Sequence, residues 1–302
     1  MSSEQRNNVL ECALPERYAK YTPSEVQSLV GPTVLWFITF LLAPLVVILV
    51  YSFLEYESFS VVYQFSLEAW NNAVFQPVVY SVFARTLLIG VAVTLLCLVV
   101  GYPLAYYLRF YTSELGGIIM LLFLVIPFWT SELIRTLGWI PILGKTGVIN
   151  QVLIISGIID KPLSWLLYSP VSQVVGYLQN YVVFMAAPIF ISLSQVDEGL
   201  LDASETLRGD PVATFRNVTW PLSLPGVTIG SIFVFVLSIG NFTIPQFLSG
   251  GKSTISTLIY LSVNNGLNYP SAAALSFALL VVIFLIVYAL IRTVDISEIA
   301  QG

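Results

Sequence analysis

Residues 86–109, TLLIGVAVTLLCLVVGYPLAYYLR, form a continuous apolar run whose only charged residue is its last, Arg109. A helix needs about 20 predominantly apolar residues to cross the hydrocarbon of a bilayer, so this run predicts a membrane-spanning helix. Similar runs recur along the chain. The sequence therefore predicts an all-α membrane protein with six transmembrane helices, at 32–53, 83–108, 116–134, 171–194, 226–248 and 272–292.

The composition supports this class and argues against several kinds of site. Of 302 residues, 57% are hydrophobic and 10% are charged, whereas soluble domains carry about 25% charged residues. The chain contains no histidine, which is the commonest general base and metal ligand. We therefore expect no catalytic residue, no metal site and no cofactor bound by this chain. The net charge of −5 argues against nucleic acid as a partner.

The basic residues indicate the orientation of the chain in the membrane. With both termini in the cytoplasm, seven lysines and arginines lie inside and five outside, and such an excess marks cytoplasmic loops. The opening residues lack a short apolar core before a cleavage site, so no signal peptide is predicted. We expect a cytoplasmic N-terminal segment at 1–31, a six-helix domain at 32–294 and a cytoplasmic tail at 295–302. The apolar segment 147–159 is too short to span and predicts an interfacial or re-entrant helix on the outer face.

A polar passage, DASETLRGDPVATFRNVTWPLSLP (202–225), separates the fourth and fifth predicted spans. Gly209 can adopt a positive φ, Asp210 suits an N-cap, and Pro211 suits the first position of a helix. These residues predict a short helix over 200–207, then a tight turn, then a second short helix.

The second short helix is expected to end at Pro221 and Pro225, before the fifth span begins. Apolar side chains in this loop, 197–221, fit a groove on a soluble partner, the helix-in-groove mode of recognition. The alternative is an amphipathic loop that lies on the inner leaflet.

Two ionisable residues, Glu132 and Arg135, lie in or at the end of the third predicted span, and Arg85 lies at a helix edge. On insertion scales, a charged residue at the bilayer centre costs about 2.5–3.5 kcal/mol, so such residues suggest function. The i,i+3 spacing of Glu132 and Arg135 puts them on one helix face. They could neutralise each other or meet a partner chain; alternatively, Glu132 lines a solute path and meets a cation.

The polar passage resembles the cytoplasmic motif of ABC-transporter permease subunits, which runs E-A-A, three residues, G, nine residues, I-x-L-P. Arg208 takes the place of the motif glycine, and Gly209 follows it directly. The residues at the motif positions are Asp202, Ala203, Ser204, Arg208, Val218, Trp220 and Pro221.

Four further stretches narrow the resemblance to the permeases of spermidine/putrescine importers. They are 86–109, IPFWTSELIRTLGW (126–139), YVVFMAAPIFISL (181–193) and GNFTIPQFLSGG (240–251). Simple hydrophobicity would not generate the run I-P-F-W-T-x-x-L-I-R. Where many relatives carry an acidic residue before the phenylalanine of the fifth span, this chain has Asn241.

The resemblance implies an ABC importer permease in a prokaryotic plasma membrane, and not an enzyme. It implies a second permease subunit, two ATPase subunits that use ATP and Mg, and an extracytoplasmic solute-binding protein as partners. A polyamine is the leading substrate, and iron, thiamine and other small solutes are alternatives because their importers have similar permeases.

Two sets of residues follow as site candidates. The ATPase-coupling set is Leu201, Asp202, Ala203, Ser204, Leu207, Arg208, Gly209, Pro211, Phe215 and Pro221. The substrate-path set is Trp129, Thr130, Glu132, Tyr181, Asn241 and Thr243. Aromatic and small polar residues in membrane helices also serve as packing contacts or interface belts, which is the alternative for the second set.

Two other functions are less consistent with the sequence. An intramembrane protease would need a serine with histidine, a zinc site or paired buried aspartates, and no predicted span contains aspartate. A self-contained secondary carrier would need coupling-ion carboxylates or repeated half-helices. The sequence shows neither an internal repeat nor a carboxylate pair.

Overall fold

The computed structural model describes residues 23–197, 199–200, 204 and 210–293. Helices account for most of these residues. The helices are α1 (Pro23–Tyr51), α2 (Pro77–Phe110), α3 (Glu114–Val125), α4 (Glu132–Leu143), α5 (Val148–Ile155), α6 (Pro170–Ser194), α7 (Pro211–Thr214), α8 (Trp220–Gly240), α9 (Thr243–Leu248), α10 (Ile255–Asn264) and α11 (Tyr269–Thr293). Helix α1 belongs to one compact unit, and the elements from Ser52 onward belong to a second.

Within the described part of the chain, six helical stretches are long and apolar enough to cross a membrane. They are Val30–Tyr51, Pro77–Phe110, Glu132–Ile155, Pro170–Ser194, Pro211–Gly240 and Tyr269–Ala289. The predicted number of spans and the helical class are confirmed. The second span begins at Pro77 and not at 83. Pro77 is the first residue of the helix, a position that favours proline.

A β-hairpin follows α1, where the sequence predicts a loop. Strand β1 (Leu54–Glu57) pairs antiparallel with β2 (Ser60–Phe65). The two residues of the turn, Ser58 and Phe59, have φ of 48° and 62°, as tight hairpins require. Neither residue is the glycine or asparagine that usually signals such a turn, so the sequence pattern misses it. A π-helical turn (Trp70–Val74) then leads to α2.

The prediction of one continuous third helix at 116–134 is wrong. Helix α3 ends at Val125, and the chain passes through a 3-10 turn (Ile126–Trp129) before α4 begins at Glu132. Pro127 lies in this turn, and a proline there lacks the N–H that a continuing helix would need. The stretch long enough to span is Glu132–Ile155, and Leu115–Trp129 is a shorter apolar helix. The segment 147–159 is helical as α5, but this helix is the end of the Glu132–Ile155 stretch, and its interfacial or re-entrant position on the outer face stays a prediction.

The fifth span also differs from its prediction of 226–248. Pro221 and Pro225 do not end a short helix: helical backbone runs from Pro211 through a π turn (Phe215–Thr219) into α8, which ends at Gly240. A π turn closes over one more residue than an α turn, so the widened helix accommodates a proline that donates no hydrogen bond. The span is then interrupted at 241–242 before α9.

Helices α2, α6 and α8 pack together along their lengths and form the larger core of the second unit. Close approach between α6 and α8 depends on Gly226. A Cβ at this position would contact the Pro188 carbonyl oxygen, and would lie 2.7 Å from Ser192 Oγ and 2.8 Å from Ile189 Cα. A smaller core joins the turn before α2 to α10 and α11. The larger core holds the site described next.

Candidate functional site

Three of the predicted path residues, from three different elements, lie in contact. Asn241, directly after α8, donates from Nδ2 to the carboxylate of Glu132 at the start of α4. The same nitrogen donates to the hydroxyl of Tyr181 in α6, at 2.7 Å. Tyr181 in turn donates to the backbone carbonyl of Leu237, at 3.2 Å. The structure thus joins α4, α6 and α8 through Glu132, Tyr181 and Asn241.

Asn241 is placed by the interruption between α8 and α9. Its backbone is extended, with φ −77° and ψ 126°, so the helix ends there. Its Oδ1 accepts the N–H of Ile244 at 2.9 Å, which satisfies a free donor in the first turn of α9. A short amide side chain can therefore end one helix, cap the next and still offer two donors.

Glu132 is placed by the other interruption, at Thr130 and Ser131, where α4 begins. A carboxylate in the first turn of a helix is favoured by the positive end of the helix dipole. Helix α4 packs against α9, so the two interruptions lie side by side. Irregular backbone at membrane depth is tolerated where it is buried in protein or lines a cavity.

Glu132 and Arg135 form no ion pair with each other, contrary to one part of the predicted structural interpretation, while its other part, contact with a partner chain, stays a prediction. Arg135 instead donates to the carbonyl oxygen of Pro127, and its guanidinium carbon lies 4.6 Å from the ring centre of Phe128. The 3-10 turn before α4 folds back over the helix and supplies both contacts. Asn241, and not Arg135, is therefore the hydrogen-bond partner of the Glu132 carboxylate.

The other path candidates lie apart from this cluster or at its edge. Trp129 is 88% exposed. Thr130 is exposed, and its hydroxyl donates to the Pro127 carbonyl at 2.7 Å. Thr243 is buried at the start of α9, two residues after Asn241.

Several buried polar residues near the cluster are missed by the sequence analysis. Gln173, Tyr177 and Asn180 lie on the buried face of α6, and Thr136 lies on that of α4. The spacing of the three α6 residues, with Tyr181, follows the helical repeat. A polar stripe at that spacing within an apolar run is the signal that could have identified them.

The coupling set is described only in part. Six of its members lie outside the described residues: Leu201, Asp202, Ala203, Leu207, Arg208 and Gly209. Helix α7 begins at Pro211 after Asp210 in extended conformation, as predicted. Ser204 Oγ lies 2.7 Å from Thr214 Oγ1, so the two sides of the predicted turn are in contact. Pro221 lies in the first turn of α8.

Phe215 belongs to an aromatic cluster at one end of the helix bundle. Its ring centre lies 5.7 Å from Tyr102, 6.3 Å from Tyr106 and 6.2 Å from Trp220. The Tyr102 hydroxyl is 3.0 Å from Ser223 Oγ. The cluster ties the segment after Pro211 to α2.

Comparisons with known proteins agree with this architecture. The spermidine/putrescine transport system permease protein PotB of Salmonella typhimurium (strain SL1344) is 30% identical over 270 residues, which cover 88% of this chain and 93% of that protein. The chain belongs to the family of ABC importer permeases. PotB of Escherichia coli (strain K12) is 30% identical over 257 residues, covering 84% of the permease and 92% of PotB.

A third relative has a broader name. The inner membrane ABC transporter permease protein YdcU of Escherichia coli (strain K12) is 30% identical over 271 residues, covering 86% of each chain. A scan against protein-family models found no match. The permease is therefore assigned to its family through individual relatives over most of its length.

Two solved structures share the fold of the permease. One is a bacterial ABC transporter involved in the import of the acidic polysaccharide alginate, with a TM-score of 0.68 and 17% identity over 89% of the permease and 94% of that chain. The other is a bacterial alginate ABC transporter in complex with an alginate pentasaccharide-bound periplasmic protein, with a TM-score of 0.70 and 15% identity over 92% and 95%. At these identities the likeness concerns the fold, a multi-pass permease.

Proposed function

We propose that this permease forms the translocation path for a polyamine, spermidine or putrescine, in an ATP-driven importer. The observation that carries the proposal is the Glu132 carboxylate, held by Asn241 between two interrupted helices of a chain similar to PotB. A carboxylate inside a membrane protein is costly and suggests a functional partner. The protonated amines of a polyamine fit that role.

The chemistry of the cluster suits a cation that passes and is released. Glu132 offers negative charge, and the hydroxyl of Tyr181 is a hydrogen-bond acceptor beside it. Charge-assisted hydrogen bonds from an ammonium group to a carboxylate are stronger than neutral ones. Because Asn241 already donates to Glu132, an arriving amine would replace Asn241 as the hydrogen-bond donor to this carboxylate. Binding would then be selective but reversible.

The segment between α6 and α8 is proposed to couple this path to ATP hydrolysis. Residues 197–221 would dock into a cleft on an ATPase subunit, and a second permease, a second ATPase subunit and a solute-binding protein would complete the importer. ATP would act by binding more tightly to one of two permease arrangements, which shifts their populations. Mg and ATP would be bound by the ATPase subunits. This docking requires both termini and the coupling segment to lie in the cytoplasm.

Uptake by the reconstituted importer tests the substrate. Vesicles that contain the complete complex, with the solute-binding protein outside and ATP inside, would be given spermidine, putrescine, thiamine and ferric iron in turn. We expect ATP-dependent uptake of a polyamine and none of thiamine or iron. Uptake of one of the other solutes, with no uptake of polyamines, would assign the permease to another small-solute importer.

A further inference from the structure

The C-terminal end of α2 contacts the chain near both ends of the coupling segment. On the exit side, Tyr102 and Tyr106 of α2 face Phe215, and Tyr102 also packs on Trp220 with ring centres 5.3 Å apart. The Tyr102 hydroxyl lies 3.0 Å from that of Ser223, near the start of α8. Helix α2 is thus held to the beginning of the fifth span by aromatic packing and a hydrogen bond.

On the entry side, Arg109 in the last turn of α2 contacts the end of α6. Its Nε donates to the carbonyl of Leu193 at 3.3 Å, and its Nη2 donates to that of Val196 at 3.5 Å. Carbonyls in the last turn of a helix lack the N–H groups of a following turn, so a nearby arginine adds a donor to them and is favoured by the helix dipole. Arg109 therefore ties α2 to the residues that lead into the coupling segment.

These two sets of contacts oppose a separation of α2 from the segment. Helices α6 and α8 are its direct continuations, but α2 is connected to it only through side chains. A displacement of the segment that left α2 behind would have to separate the rings around Phe215 and break the hydrogen bonds of Arg109. Tightly packed contacts of this kind switch between discrete arrangements and do not deform gradually.

We propose that Tyr102, Tyr106 and Arg109 are positioning residues that make α2 move with the coupling segment. The three helices α2, α6 and α8 then respond to the ATPase as one body, which carries Tyr181 and the residues beside Asn241. This inference rests on the proposed function, because it takes the segment to be where the ATPase acts.

The number of ATP molecules hydrolysed for each spermidine transported tests the proposal. Tyr106→Ala removes a half-buried ring that contacts Phe215, while leaving the more deeply buried Tyr102 in the core. In vesicles that contain the complete importer, we expect hydrolysis to continue and the ATP-to-spermidine ratio to rise about fivefold or more, the lower end of typical couplings between sites. A role in folding alone would lower both rates together and leave the ratio unchanged.

The chain supplies a matched control one residue away. Tyr107 is 53% exposed, and its ring stacks on Tyr111. Tyr107→Ala should keep the wild-type ratio, and Tyr106→Phe should restore it because the ring is kept. Arg109→Ala removes the contacts of α2 at the other end of the segment and gives a second variant if Tyr106→Ala assembles poorly.

The comparison starts from a wild-type importer that copurifies with its ATPase and takes up spermidine. Failure of the proposed function therefore shows in the wild type, and failure of this inference shows only in the variants. A normal ratio in both Tyr106→Ala and Arg109→Ala would overturn the inference, as would an equal rise in Tyr107→Ala.

Discussion

Asn241 donates a hydrogen bond to Glu132 across 109 residues of chain, and this bond fastens two interrupted helices to each other. Asn241 uses its whole side chain, because Nδ2 also donates to Tyr181 and Oδ1 accepts from the N–H of Ile244. A residue placed in this way determines both the local backbone and the position of the carboxylate. Asn241 therefore holds the residues of the proposed path in position.

Substitutions of Asn241 distinguish its role as a cap of α9 from its role as hydrogen-bond donor to Glu132. Asn241→Ala removes the cap of α9 and both donors, and should destabilise the permease by about 1–3 kcal/mol, the cost of leaving buried polar groups unpaired. Asn241→Asp keeps an oxygen for the Ile244 N–H but places a second carboxylate beside Glu132. Thermal unfolding in detergent measures the stability of both variants. Unchanged unfolding temperatures would show that the Glu132–Asn241 contact contributes nothing to the fold.

Neutralising Glu132 tests the charge of the path. Glu132→Gln keeps the shape and can still accept from Asn241, so assembly should be normal. Uptake of spermidine below saturation should fall about tenfold, as expected when a hydrogen bond to an ammonium group loses its ionic partner. Glu68→Gln, at an exposed carboxylate that accepts from Asn72, is the control. Equal loss of assembly and uptake in Glu132→Gln would make Glu132 a structural residue.

The coupling proposal also expects a rigid turn at Gly209. Gly209 lies outside the described residues and follows the motif position occupied by Arg208. Gly209→Val should uncouple ATP hydrolysis from uptake, because a β-branched residue resists the positive φ predicted there. Transport and ATPase assays on reconstituted vesicles measure the two rates. Transport at the wild-type rate would refute the proposal that the segment transmits motion.

Packing between α6 and α8 gives a prediction about stability alone. Gly226→Ala places a methyl group against the Pro188 carbonyl and Ile189 backbone, and overpacking of this kind costs about 1–3 kcal/mol. Gly138→Ala, also in a helix but with open space around its Cα, should be neutral or stabilising by up to about 1 kcal/mol. The unfolding temperature should therefore fall for Gly226→Ala and stay the same or rise for Gly138→Ala. A Gly226→Ala variant as stable as wild type would mean that α6 and α8 are not packed this closely.

Hydrophobicity predicts the number of spans in this permease but not where they are interrupted. Five spans are located by run length, because every membrane helix must be apolar over a fixed thickness, whereas the third is Glu132–Ile155 and not the predicted 116–134. The interruption at 130–131 lies near the end of the third predicted run, and the one at 241–242 lies within a run that remains apolar on both sides. Asn241 acts there through its side-chain hydrogen bonds, which depend on partners distant in sequence. Local patterns do not contain that information.

The sequence predicts the site only in part, because the site also depends on contacts between residues that are distant in sequence. The search for polar or bulky residues at bends of the third to fifth helices points to Glu132, Tyr181 and Asn241, and the structure brings these three together. That criterion does not separate them from Trp129, whose ring is exposed. Arg135 is predicted beside Glu132 on one helix face, but the 3-10 turn before α4 provides it with a carbonyl and an aromatic ring instead. The contacts of α2 with the coupling segment involve residues far apart in sequence, and no local pattern marks Tyr102 or Tyr106.

Photo-crosslinking from Val212 tests the coupling proposal most directly. Val212 is 68% exposed in the first helical turn after the predicted bend, and Leu88 is 69% exposed on the outside of α2. A photoreactive residue at Val212, in native membranes, should form an adduct with an ATPase subunit, and one at Leu88 should not. If Val212 forms no such adduct, or can be labelled only from outside the cell, the segment is not where ATP hydrolysis acts on the permease.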